Sequence, residues 1–186
     1  QEVIRINSQS GKGGIAYVLE HDHGYELPRW LQIDFSAAVQ AHAEEVEGEV
    51  GSEAIHALFR ETYLDPHRGW VLGDYQVSRA AAVDQLQVVL ERGEQRHSLT
   101  GSGNGVVAAF VDAMQRFTGR QLVLVEYSEH ALSKSADAEA VCYIQLNIDG
   151  ERYCGVGVSH DIVQASLNGI LSAINRAVGR DAAAAA

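Results

Sequence analysis

Two glycine pairs, Gly101-Ser102-Gly103 and Gly155-Val156-Gly157, each stand between alternating segments and a stretch of helical apolar spacing. No other feature of the sequence constrains the fold as much. Ahead of the first pair, Val71 to Ser78, Gln85 to Leu90 and Arg96 to Thr100 alternate as strands. Behind it, Val106, Phe110, Ala113, Met114 and Phe117 fall on one face of a helix. The order then returns: Leu122 to Tyr127, Ala140 to Ile148 and Tyr153 to Val158 read as strands, and Val163, Leu167, Ile170, Leu171, Ile174 and Val178 line a second helix. Strand-strand-strand-helix, twice, predicts an internal duplication. The fold class is α+β with pseudo-twofold symmetry: a helix covers one face of each three-stranded sheet, and the free faces pack together.

The chain upstream has another texture. Ser10-Gly11-Lys12-Gly13-Gly14 reads as a turn or cap, and Ile15 to His21 as a short helix ending at Gly24. Pro28 suits the first turn of a second helix, whose stripe is Leu31, Phe35, Ala38, Val39 and His42. Ser52 is the N-cap candidate for a third helix carrying Ile55, Leu58 and Phe59, and Asp65 to Gly69 is a linker. The organisation is thus a small helical subdomain over 1–66, the duplicated βββα domain over 67–180, and an alanine tail over 181–186.

At 186 residues, 46% of them apolar, the chain has enough material for a core. Its formal charge of −11 repels phosphate backbones, so no nucleic acid partner is expected. No apolar run reaches the roughly 18 residues of a membrane span, and Gln1 to Arg5 lacks the layout of a signal peptide. Two cysteines suit a reducing, cytoplasmic setting. Asp149-Gly150 is a two-residue hairpin turn that sets Ile148 opposite Glu151 and Gln145 opposite Cys154, which puts Cys142 on the other sheet face.

Several motifs carry chemistry in principle. Glycine turns opening helices serve either close packing or an anion, since a helix N-terminus offers free N–H groups and partial positive charge. Ala138 and Ala140, two apart on one strand face, leave room for a neighbouring helix or a small apolar ligand. His21-Asp22-His23 has the alternation of a zinc pair without a third ligand at a telling spacing. Gly11-Lys12-Gly13-Gly14 lacks the phosphate-loop pattern. Glu129 beside His130, and His160 beside Asp161, come with no nucleophile. No catalytic residue is assigned.

Longer motifs point to a family. Val3 to Tyr17, with Leu27-Pro28-Arg29 and Leu31 to Ser36, resembles the opening of the second linker subdomain of the longer 2-isopropylmalate synthases. Gly101 to Gly105, Tyr127 to Ala131, Gly155-Val156-Gly157, Ala165-Ser166-Leu167 and Ala173 to Arg176 are similar to its regulatory domain. The resemblance implies a duplicated βββα module that binds L-leucine as feedback inhibitor and holds a homodimer together. It further implies a parent enzyme that condenses acetyl-CoA with 3-methyl-2-oxobutanoate in a separate catalytic barrel. The divalent metal belongs to that barrel, so no cofactor and no metal site is expected here, nor synthase activity from these residues alone.

By the matching motifs, the resemblance assigns leucine to Gly105, Val107 and Ala108 at one turn, Leu124, Tyr127 and Ala131 on the following strand, the small pair Ala138 and Ala140, and His160 and Ile162 at the second turn. His160 departs from the family pattern, and one inserted residue precedes Tyr127. The competing readings are an isoleucine-sensing domain of a citramalate synthase and a dimerisation scaffold without an effector.

Overall fold

The computed structural model describes residues 12–45 and 50–185. Most of the family signature in Val3 to Tyr17, the start of the turn at Ser10 and the end of the alanine tail lie outside them. Three helices come first: α1 (Lys12–His23), α2 (Arg29–Glu45) and α3 (Ser52–Tyr63). A 3-10 turn over Pro66–Arg68 leads into β1 (Val71–Ala80), β2 (Val83–Arg92), β3 (Gln95–Gly103) and α4 (Val106–Thr118). The second half is β4 (Leu122–Ala131), β5 (Ala140–Ile148), β6 (Glu151–Ser159) and α5 (Ile162–Ala185). Each half forms its own antiparallel three-stranded sheet in sequential order. The duplicated βββα reading therefore holds.

The sheets do not meet through their free faces as expected. Their helix-bearing faces share one core instead. Leu86, Val88 and Leu90 of β2 join Cys142, Ile144, Leu146 and Ile148 of β5 around Phe110, Met114, Leu167, Ile170 and Ile174 of the two helices. Helix α4 lies on β2 and β3 and reaches β4 of the other half, while α5 lies on β5 and β6 and reaches β1. Burying a side chain such as Phe110 contributes about 1.5–3 kcal/mol.

The other face of the second sheet is covered by the N-terminal helices. Val141, Tyr143, Cys154 and Val156 pack there with Ile15, Val18, Leu31, Phe35 and Phe59. The equivalent face of the first sheet carries Gln76, Ser78, Gln85, Gln87 and Thr100, all exposed. The difference is written in the strands. Residues 140–148 are nearly continuously apolar, the pattern of a strand buried on both sides, whereas β2 alternates.

Local details correct other expectations. The glycine pairs are not turns: Gly101 and Gly103 end β3, and Gly155 and Gly157 lie within β6. Helix backbone rests directly on them. A Cβ at Gly101 would stand 2.1 Å from the Ala109 carbonyl oxygen, and one at Gly157 would stand 2.0 Å from that of Ala165. Ser52 is not the N-cap of α3, a position held by Gly51. The Ser52 hydroxyl instead donates to Asp22 Oδ2 at 2.6 Å, binding α3 to the end of α1. Pro28 precedes α2 and caps it through its carbonyl, which accepts from Leu31 and Gln32 at 3.0 Å. The buried α2 stripe is Leu31, Phe35, Val39 and Ala43, with His42 half-buried beside it.

Other readings hold. Helix α1 ends at Gly24, whose φ of 81° lets its N–H reach the Glu20 carbonyl and that of Tyr25 reach Leu19. Ile148 pairs with Glu151 and Gln145 with Cys154. Cys142 faces the shared core and Cys154 the helical side, and both are free, buried thiols.

Candidate functional site

β4 presents its inner face through a bulge. Leu124 pairs with Leu146, but the next registered pair is Glu126 with Gln145, leaving Val125 as the extra residue. Leu124 and Tyr127, three apart, therefore look the same way, with Glu129 and Ala131 following. β1 has a counterpart of the bulge between Leu72 and Tyr75.

The Tyr127 hydroxyl donates to Glu129 Oε2 at 2.5 Å and lies 2.8 Å from Ser166 Oγ. Ser166, buried in α5, donates to the Ile162 carbonyl at 3.0 Å. One phenol thus links the inner face of β4 to the first turns of α5. Burial, then the bond to the Glu129 carboxylate, pushes the Tyr127 hydroxyl well above its ordinary range. Burial likewise pushes the neighbouring Cys142 thiol up to about 11, so it is not a nucleophile at neutral pH. In the first half, the Tyr75 hydroxyl donates to Asp161 Oδ2. Asp161 in turn caps α5 through Oδ1, which accepts from the Val163 N–H at 2.9 Å.

Of the sequence-assigned residues, Ala131 and Ala140 stand directly opposite each other across the β4–β5 pair, and Tyr127 meets the turn begun by Ile162. Ala138 does not share the strand with Ala140. It lies in the connecting loop, its N–H bonded to the Ser135 carbonyl at 3.1 Å, because the chain turns before β5 begins. His160 is exposed in the bend before α5. Gly105, Val107 and Ala108 open α4. Gly105 has a φ of 111° and offers no side-chain cap. The hydrogen bond from Leu122 N–H to Gln115 Oε1 joins β4 to the far end of α4, away from that turn. Leu124, Tyr127 and Ile162 are 36%, 40% and 44% exposed, so this face is open in the single chain. Glu129 and Ser166 were missed, although Glu129 follows Tyr127 by two on the same strand face and Ser166 follows Ile162 by one helical turn.

A separate cleft lies elsewhere. About 520 Å³ in volume, it opens between the end of α3, the 3-10 turn, the start of β1 and the flank of α5, and none of the sequence-assigned residues lines it. The histidine cluster resolves structurally as well. Asp22 accepts from His21 and Ser52, which hold its carboxyl below the usual range, and the His23 and His56 rings stack 3.9 Å apart. Among the described residues no group of three or more His, Cys, Asp and Glu is placed to hold a metal ion. His130 is a tether: its Nε2 accepts from the Glu26 N–H at 3.2 Å and lies 2.7 Å from the Tyr143 hydroxyl.

Comparison with known proteins matches residues 49–178, nearly the whole duplicated unit, to the LeuA allosteric (dimerisation) domain. The chain belongs to that family. Residues 1–20 match the alpha-isopropylmalate synthase post-catalytic domain-like family. Similar relatives named 2-isopropylmalate synthase include those of Mesorhizobium japonicum, 41% identical over 98% of this chain, Leifsonia xyli subsp. xyli, 41% over 96%, and Thermobifida fusca, 43% over 95%. The match covers 33%, 32% and 31% of those relatives, so this LeuA-domain chain spans about a third of their length. Among the described residues no helix is long and apolar enough to cross a membrane.

Proposed function

We propose that this chain is the regulatory part of a 2-isopropylmalate synthase, which senses L-leucine as feedback inhibitor and pairs with a second copy of itself. The observation that carries the reading is the match of the duplicated βββα unit to a LeuA allosteric domain. The relatives' shared name favours leucine over the isoleucine of a citramalate synthase.

In this reading the isobutyl group lies over the small Ala131–Ala140 pair, gaining roughly 1.5–3 kcal/mol if fully buried. The first amides of α5 are already capped by Asp161, whereas Gly105 leaves those of α4 without a side-chain cap. The ligand carboxylate therefore belongs at Val107 and Ala108, where the helix dipole favours it. The exposed Leu124, Tyr127 and Ile162 give a second copy apolar surface to cover. Synthase chemistry, its divalent metal and its acetyl-CoA and oxoacid substrates belong to a barrel outside these residues, in the cytoplasm.

Isothermal titration with leucine, isoleucine and valine tests the proposal, together with sedimentation of the free and liganded chain. Tightest binding of leucine by a dimer is expected. Preference for isoleucine would move the chain to the citramalate reading. No heat with any of the three, and no rise in melting temperature, would leave a dimerisation scaffold.

A further inference from the structure

We propose that Glu129 receives the ammonium group of the bound amino acid, and so makes this domain selective for an α-amino acid over the 2-oxo acid of the same skeleton. The inference rests on the leucine reading and deepens it by naming the residue that reads the one group those two molecules do not share.

Tyr127, Glu129 and Ala131 follow one another on the inner face of β4, so Glu129 stands about 7 Å along the strand from the small Ala131–Ala140 pair. Across the strand pair it meets Cys142, on the same face as Ala140. Glu129 is exposed, like Leu124, Tyr127 and Ile162 on this open face. Its Oε2 accepts from the Tyr127 hydroxyl at 2.5 Å, which holds the carboxylate against β4. Its other oxygen accepts no hydrogen bond, and among the described residues no Lys, Arg or His forms an ion pair with it. The duplicated fold does not require a charge here. Leu72 and Tyr75 flank the β1 bulge as Leu124 and Tyr127 flank that of β4, and the residue two past Tyr75 is Val77.

An unpaired carboxylate costs little while water reaches it. Once a second copy covers this face, Glu129 loses that water, and a desolvated charge without a partner is strongly unfavourable. Leucine supplies the missing cation. With its isobutyl group over Ala131 and Ala140, its ammonium can meet the free carboxylate oxygen in a charge-assisted hydrogen bond. The oxo acid 4-methyl-2-oxopentanoate has the same isobutyl and carboxylate groups, but a carbonyl oxygen where leucine carries the ammonium. It sets one acceptor against another and leaves Glu129 bare, so the contact that favours leucine works against it. The cation on the matching strand of the first half is Arg79, four residues past Tyr75 as Ala131 is past Tyr127, and it is turned to Asp84 at 4.0 Å.

Isothermal titration of the intact chain with L-leucine and with 4-methyl-2-oxopentanoate, wild type against Glu129→Gln, tests this. Glutamine keeps an oxygen for the Tyr127 hydroxyl and removes only the charge; the melting temperature checks that the fold is intact. The wild type should prefer leucine by about 100-fold or more, a comparison that needs no variant. Glu129→Gln should bind leucine at least ~10-fold more weakly and the oxo acid no more weakly, so the preference shrinks by that factor. By sedimentation without ligand, the variant should self-associate at least as tightly as the wild type, since it buries no bare charge. Equal wild-type affinity for the two ligands, unchanged leucine affinity in the variant, or an equal loss of both ligands would overturn the inference. So would weaker self-association of the ligand-free variant, which would assign Glu129 to a cation of the second copy. A wild-type chain giving no heat with either ligand would instead remove the effector reading itself.

Discussion

The Tyr127 hydroxyl and Ser166 Oγ lie 2.8 Å apart, joining a strand of the second sheet to the helix that covers it. Because the same hydroxyl serves Glu129, Tyr127→Phe removes a donor and a bridge at once. Loss of one such bond costs about 0.5–1.5 kcal/mol, and the charged acceptor places this one toward the upper end. The urea midpoint should fall accordingly, with an unchanged m-value.

High pH should unfold this protein early. Burial raises the hydroxyls of Tyr63, Tyr127 and Tyr143 above their ordinary value of 10.0, and lifts the thiols of Cys142 and Cys154 from 9.0 to about 11 and about 12. The unfolded chain releases these protons from about pH 9 upward while the folded chain keeps them, so it binds fewer protons and stability falls as pH rises. The contribution is complete below the ordinary values and disappears through the raised ones. Melting temperature measured from pH 8 to pH 11.5 should drop steeply above pH 9, and Tyr143→Phe should flatten the slope.

The glycine pairs have little tolerance. Gly157→Ala sets a methyl 2.0 Å from the Ala165 carbonyl oxygen and 2.4 Å from the Gly169 amide, both backbone atoms that cannot turn aside. A loss of about 3 kcal/mol or more is expected. Gly179→Ala, in α5 with no atom near its added Cβ, should raise stability by up to about 1 kcal/mol. Thermal melts of the two variants should move in opposite directions.

For the ligand, the structure separates two alanines that the sequence treats alike. Ala140→Leu fills the space across from Ala131 and should weaken leucine binding at least ~100-fold by titration. Ala138→Leu, in the loop, should cost less than ~10-fold. Wild-type affinity in Ala140→Leu would exclude the pocket.

The β1–β2 hairpin turns on Ala81 and Ala82 at φ of 52° and 64°, a conformation that favours Asn and Gly. The double change Ala81→Asn, Ala82→Gly should gain about 1 kcal/mol. Differential scanning calorimetry would register it as a rise in melting temperature.

The duplication and its strands were legible because alternation and helical spacing report directly on burial, and Asp149-Gly150 fixed the register that parts the two cysteines. The layering was misjudged because periodicity tells which residues are buried, not what buries them. The nearly continuous apolar run from Val141 to Leu146, broken only by Gln145, was the available sign that a second layer lay beyond the sheet. The glycine pairs were assigned to turns because glycine is ambiguous between flexibility and close approach; only the helix lying on Gly155 and Gly157 distinguishes these. Ser52 shows the same limit, since its local capping role lost to a partner thirty residues away, Asp22. At the site, family motifs located β4 and the helix starts, yet Glu129 and Ser166 became visible only through the Tyr127 hydroxyl they share.

Val125 has a consequence for how this domain can change over time. Upstream of it, even-numbered side chains of β4 look into the shared core; downstream, odd-numbered ones do. Deleting Val125 would remove the bulge and restore plain alternation, with Leu124, Tyr127, Glu129 and Ala131 all still facing the core. The bulge is therefore a buffer, a point at which this strand can gain or lose one residue while the side chains on either side keep their facing.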